Sequence, residues 1–269
     1  MRHTRTAACS SVLLLAGACL VGAPATAQAA PPGAGPGYVA LGDSYSAGLG
    51  AGDYLPTGTN CRRSSRAYPV LWASAHRVAS FAFPACNHAR TNDVLSRQLG
   101  TLGAGTRLVT LTVGGSDAGF VGVMTTCALG GTSRCLSAVA GARATVDSSL
   151  GDSLDRLYSA IRNRAPAAHV VVLGYPHLYH LRGTCEAGLQ DTARAAVNDG
   201  VDHLDAVIAR RAAAHGFTFA DVRAAFAGHE ICSSSPWLHS VDLPAVTESY
   251  HPTAPGQSLG YLPVLERVS

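Results

Sequence analysis

The chain has 269 residues, and all 20 of its basic residues are Arg. The lack of any Lys excludes a P-loop, which needs its Lys, and Schiff-base chemistry. Past the first 30 residues, 18 arginines face 17 acids, a net +1 that gives no electrostatic reason to bind nucleic acid, on a length that suits one α/β domain.

In chain order, Arg2 and Arg5 precede an apolar run from Val12 to Val21, and Ala27-Gln28-Ala29 forms a small-x-small cleavage site. Residues 1–30 therefore read as a secretory signal peptide and 31–269 as the mature domain. The apolar run is short for a membrane anchor, and Cys19 stands one residue out of register for a lipoprotein site. Pro31 to Gly37 is a linker. Tyr38-Val39-Ala40-Leu41 predicts a short buried strand that ends in Gly42-Asp43-Ser44, a turn at the carboxyl edge of a sheet. Ala47 to Thr59 is glycine-rich and predicts a loop over that turn. Ala67 to Val78 carries apolar residues at helical spacing, and Phe81-Ala82-Phe83 is a short strand. Arg107 to Val113 is the clearest strand, β-branched and alternating, and it runs into Gly114-Gly115-Ser116-Asp117. Val139 to Arg164 predicts a long helix, His169 to Pro176 a buried strand with a breaker behind it, Thr192 to His215 a long helix, Phe217 to Ala220 a strand, and Thr253 onward a last helix. Strands alternating with long helices predict a mostly parallel sheet covered on both faces.

Cys9 and Cys19 leave with the leader, so the mature chain keeps Cys61, Cys86, Cys127, Cys135, Cys185 and Cys232. An even set in an exported chain predicts disulfides, and loop closure favours sequential neighbours: 61–86, 127–135 and 185–232. No C-x-x-C occurs, which argues against a structural zinc site. His177-x-x-His180 is the one spacing that suits a metal, and no neighbouring carboxylate pattern supports it. Arg62, Arg63 and Arg66 form the only basic cluster, either a solvated loop or a contact for an anionic headgroup.

Ser44 can act as a nucleophile, exposed after a strand with its own N–H free as an oxyanion donor. His251 lies between Tyr250 and Pro252-Thr253. The proline favours an extended His251 and Thr253 can cap the next helix, which fixes the ring as a general base requires. Gly256-Gln257-Ser258-Leu259-Gly260 matches a Gly-x-Ser-x-Gly elbow, but no His follows Ser258, so the match is accidental.

Gly42-Asp43-Ser44-Tyr45-Ser46, Gly114-Gly115-Ser116-Asp117 and His251-Pro252-Thr253 resemble, in this order and spacing, the first, third and last blocks of the SGNH (GDSL) hydrolases. The branch resembled is that of secreted actinobacterial lipases, esterases and phospholipases, in which six cysteines pair at similar spacing. The resemblance implies a flavodoxin-like three-layer α/β/α single domain and carboxylic ester hydrolysis without cofactor or metal. It implies Ser44 as nucleophile, His251 as base, and an oxyanion hole from Ser44, His88 and Ser116. Two positions depart from the family: His88 stands in place of a Gly whose backbone N–H donates, and Ser116 in place of an Asn. The partner of His251 is Glu248, where relatives often carry Asp, or else the backbone carbonyl of Glu248 or Ser249. The expected protein is a secreted, extracellular monomer acting on a small-molecule or lipid ester, with at most transient lipid-surface contact. The alternatives are a polysaccharide O-deacetylase on the same fold, and a non-catalytic wall or carbohydrate-binding protein with a decayed oxyanion hole.

Overall fold

The computed structural model describes Met1 and residues 37–269, apart from residues 58, 79, 184, 186 and 187. The leader, its cleavage site and the linker lie outside the described residues, and residues 37–269 belong to one compact unit. Its elements are β1 (Tyr38–Ala40), α1 (Ser44–Ala47), α2 (Tyr68–Ala75), β2 (Phe81–Ala82), α3 (Thr91–Asp93), β3 (Leu108–Leu111), α4 (Phe120–Thr145), α5 (Gly151–Arg164), β4 (His169–Leu173), α6 (Asp191–Ala214), β5 (Thr218–Ala220), α7 (Arg223–Phe226) and α8 (Leu262–Glu266).

All strand pairs are parallel, in the order β2-β1-β3-β4-β5. The continuous apolar runs explain this: β1 and β3 are buried throughout, and β4 is buried after His169. Helices α2 and α8 pack together, and α5 packs on α3 and α6, giving the flavodoxin-like three-layer arrangement. In this strand order the sequence of strands reverses between β1 and β3, and the crevice there is where such sheets bind ligands. The turns at Ser44 and at Gly114–Asp117 follow those two strands.

The long helix expected over 139–164 begins much earlier. Helix α4 starts at Phe120, breaks at Gly131 (φ 74°, ψ 171°), and continues through a wide turn at Val146–Leu150 into α5. Glycines at 122, 130 and 131 weaken helix propensity in its first half, and the Cys127–Cys135 disulfide staples the two sides of the break. The other two bridges join Cys61 to Cys86 and Cys185 to Cys232, the sequential pairing expected. Among the described residues, no helix is long and apolar enough to cross a membrane.

Candidate active site

The turn after β1 is built around Gly42. Its φ of 120° lies in the region that favours glycine, and a Cβ there would stand 2.4 Å from the Thr112 carbonyl oxygen. Gln98 fixes the same residue from both sides, accepting from its N–H (2.8 Å) and donating to its carbonyl (2.9 Å). Asp43 then caps α1, accepting from the Tyr45 N–H (3.0 Å). Its carboxylate also takes the Thr112 hydroxyl (2.6 Å) and the Tyr175 hydroxyl (2.5 Å). Burial pushes the Asp43 pKa up to about 6, against the pull of these donors. The Tyr175 hydroxyl in turn accepts from the Gly115 N–H (3.1 Å), so one side chain ties the β1 turn to the β3 turn. Ser46 adds a second tie, bonding Thr112 through its backbone N–H (3.0 Å) and its hydroxyl (2.9 Å).

Ser44 stands at the first position of α1, 8% exposed. Its N–H has no partner among the described residues, as expected of a first helical residue. Its Oγ lies 2.8 Å from His251 Nε2. His251 is buried against Tyr45 (5.1 Å between ring centres) and Phe120 (6.0 Å). Burial holds its pKa down to about 4, and the nearby His88 and His239 push the same way. The ring is therefore neutral at pH 7. Its Nδ1 lies 2.9 Å from the Ser249 carbonyl oxygen, which assigns the proton to Nδ1 and leaves Nε2 to accept from Ser44.

The partner of His251 is thus a backbone carbonyl and not the Glu248 carboxylate. Glu248 turns away and accepts from the Tyr54 hydroxyl (2.7 Å) and the Arg62 guanidinium (2.6 Å), tying the 50–64 loop to its own. The carbonyl is presented to Nδ1 by Tyr250, which adopts a left-handed φ of 67°. Tyr45 secures that kink by donating its hydroxyl to the Tyr250 carbonyl (2.7 Å). The glycine-rich loop does run beside the base: a Cβ on Gly50 would stand 2.8 Å from the Pro252 carbonyl oxygen and 3.1 Å from the His251 Cβ.

Ser116 lines the same pocket as Ser44. Neither its N–H nor its hydroxyl has a partner among the described residues. His88 has φ 61°, a conformation suited to the Gly it replaces, and its N–H is also unpartnered among the described residues. Asp117 accepts from both the N–H (3.0 Å) and the hydroxyl (2.6 Å) of Thr91, which holds the loop carrying His88 beside the β3 turn.

The remaining sequence candidates fall elsewhere. Ser258 sits in the last helical segment and donates to Ala254 O (3.0 Å). His177 and His180 bond separate carboxylates, Asp202 (2.8 Å) and Glu230 (3.2 Å). Within the basic cluster Arg62 meets Glu248, Arg63 donates to the carbonyls of Thr57 and Ala85, and Arg66 pairs with Asp53 in a solvent-exposed ion pair. Sequence reasoning missed Tyr175, Tyr250 and Thr91. Gly174-Tyr175-Pro176 after a buried strand was the available signal for the first.

A serine hydroxyl under a neutral imidazole, at the switch point of a parallel sheet, is the arrangement of a serine carboxylic ester hydrolase. The chain belongs to the GDSL-like Lipase/Acylhydrolase family, whose profile matches residues 40–259. It is 60% identical over 256 residues to Lipase 1 of Streptomyces coelicolor, covering 95% of each chain. Among solved structures it resembles the extracellular lipase of Streptomyces rimosus, at 56% identity and TM-score 0.84, covering 86% of this chain and 99% of that one. It is equally similar to phospholipase A1 of Streptomyces albidoflavus NA297, at 54% identity and TM-score 0.85, covering 87% and 100%.

Proposed function

We propose that the protein is a secreted lipolytic esterase, working as a single chain, in which Ser44 is the nucleophile and His251 the general base. The observation that carries this is the 2.8 Å contact between Ser44 Oγ and His251 Nε2, with Ser44 lining an apolar pocket. Three disulfides and the expected leader suit export. The relatives named lipase and phospholipase A1 suit a glyceride or phospholipid substrate.

Ser44 Oγ attacks the ester carbonyl carbon while its proton passes to Nε2. The carbonyl π pair moves onto oxygen, where the N–H groups of Ser44 and His88 and the Ser116 side chain receive it. Collapse breaks the bond to the alkoxy oxygen, which leaves with the Nε2 proton as an alcohol. Water then attacks the acyl-enzyme and gives its proton to Nε2. The second collapse returns that proton to Ser44 Oγ and frees the carboxylic acid. The Ser249 carbonyl holds the imidazole in one tautomer throughout.

The test is covalent labelling with an organophosphonate, followed by a panel of triglycerides, phospholipids and acetylated polysaccharides. Labelling at Ser44, absent in Ser44→Ala, with turnover of the acyl lipids supports the reading. Preference for the acetylated polysaccharides indicates a deacetylase, and an unlabelled, inactive protein indicates a binding role.

A further inference from the structure

Ser44 follows β1 at the carboxyl edge of the sheet, and the strands on either side of β1 frame unlike surroundings. Toward β3, the pocket of Ser44 is walled by Phe120, Leu178, Val201 and Leu204. Toward β2 lies a separate, polar cleft. It is lined by Phe83 and Pro84, which directly follow that strand, and by Arg63, Asn87, His88 and Arg97. Hydrogen bonds place its floor beside the catalytic turn. Gln98 and Cys86 both line the cleft. Gln98 brackets Gly42, and the Cys86 N–H donates to the Gly42 carbonyl (3.0 Å), two residues before Ser44. His88 stands at the boundary, since its N–H is the one assigned to the oxyanion hole.

Arg63 carries the uncompensated charge of this cleft. The fixed charges lining it are Arg63, Arg97 and Asp93. Arg97 faces Asp93 at 3.7 Å, so those two offset one another. Arg62 and Arg66 each meet a carboxylate. The Arg63 guanidinium, by contrast, donates only to the neutral carbonyls of Thr57 (3.0 Å) and Ala85 (3.5 Å) among the described residues. Those bonds fix its direction, leave its charge unmatched and leave N–H groups to spare. The frame around it is cross-linked. The Cys61–Cys86 disulfide ties the segment carrying Arg63 to the segment carrying His88, and the Asn87 N–H donates to the Cys61 carbonyl (3.0 Å). A half-buried, pre-oriented guanidinium without a counter-charge suits a phosphate, whose oxygens match its fork of donors.

We infer that the cleft on the β2 side holds the phosphate of a glycerophospholipid against Arg63 while the scissile ester lies at Ser44. This rests on the ester-hydrolase reading and chooses the phospholipid over the glyceride as substrate. In such a lipid the phosphate and the ester hang from one glycerol, just as the polar cleft and the apolar pocket flank one catalytic turn. A triglyceride brings no anion to Arg63.

The test compares kcat/KM for dihexanoylphosphatidylcholine and dihexanoylglycerol, both below the micellar range, on the full chain and on Arg63→Gln, Arg63→Lys and Arg66→Gln, each checked for folding by its melting temperature. Losing a hydrogen bond between two charged groups typically costs about tenfold or more. Arg63→Gln is expected to lower the phospholipid-to-diacylglycerol ratio at least tenfold, and Arg63→Lys to lower it less. Arg66→Gln removes the same charge from an exposed ion pair outside the cleft and should leave the ratio within twofold. An unchanged ratio in Arg63→Gln, or an equal fall in Arg66→Gln, overturns the inference. Calorimetric titration of Ser44→Ala and Ser44→Ala/Arg63→Gln with the same phospholipid gives the comparison without turnover. If the parent hydrolyses neither ester, tenfold weaker binding in the double variant upholds the cleft and counts only against the Ser44 chemistry. Equal binding refutes the cleft whatever the kinetics. Titration with inorganic phosphate separates the two sources of the anion: an Arg63-dependent affinity equal to that for the phospholipid would make this a free-phosphate site and overturn the headgroup assignment.

Discussion

Replacing Tyr175 by Phe removes one oxygen and two buried hydrogen bonds. The hydroxyl donates to Asp43 and accepts from the Gly115 N–H. A bond to a charged acceptor contributes about 1.5–3 kcal/mol, and a buried N–H left without a partner costs about 1–3 kcal/mol. The two overlap, because the lost hydroxyl no longer needs desolvation, so we expect a destabilisation of about 3 kcal/mol at neutral pH. The loss has a pH signature. The Tyr175 bond lowers the pKa of Asp43, so deleting it raises that value further above about 6. The folded state then binds a proton that the unfolded state, near pKa 3.9, has already released. Stability therefore falls as pH rises through this window, and the window widens upward in the variant. The deficit should be smaller at pH 5 than at pH 8. The freed β3 turn also carries Ser116, and a shift there of a fraction of an ångström should lower kcat about tenfold or more. Urea unfolding at the two pH values, with esterase kinetics at pH 8, measures both effects. A loss under about 1 kcal/mol, or a deficit equal at both pH values, would refute the role assigned to this hydroxyl.

Ser116→Asn should raise kcat on a butyrate ester about tenfold with KM little changed, because an amide is longer and better fixed than a hydroxyl, and Ser116→Ala should lower it. If neither variant differs from the parent, Ser116 lies outside the oxyanion hole. Glu248→Gln should leave kcat within about threefold, since the Ser249 carbonyl orients the base; a loss above tenfold would return that role to the carboxylate. Tyr45→Phe should lower kcat about tenfold at constant KM by releasing the Tyr250 carbonyl, and unchanged steady-state kinetics would show that the kink holds by itself. With the His251 pKa lowered to about 4, kcat/KM should keep its acid limb near pH 4. The His251 contribution to folding stability, read as the difference from His251→Phe, should decline as pH falls from about 6.5 toward 4, where the unfolded ring protonates first, opposite in sign to the Asp43 contribution. An acid limb near pH 6.5 would contradict the burial argument.

The strands and the Ser44–His251 pair were legible because their signals are local. Tyr38–Leu41, Arg107–Val113 and His169–Leu173 are short stretches rich in apolar and β-branched residues, and the motif order placed both residues at one edge of a sheet. Helix α4 was half invisible because Gly122, Gly130 and Gly131 argue against the helix that tertiary packing and the Cys127–Cys135 staple impose. The Tyr175 bolt joins three segments distant in sequence, and no pattern within any one of them announces it. The partner of His251 was undecidable for a different reason. Every residue carries a carbonyl, so which one faces the ring depends on the backbone angle at Tyr250.

That angle relocates the mutational target of the catalytic machinery. A side-chain carboxylate can be deleted by one codon change, whereas the Ser249 carbonyl survives any substitution at its own position. The vulnerability moves to Tyr250, where a β-branched residue would resist φ 67° and swing the acceptor out of line while every named catalytic residue stayed in place. Inactivating substitutions near the base should therefore include a position with no chemical role of its own.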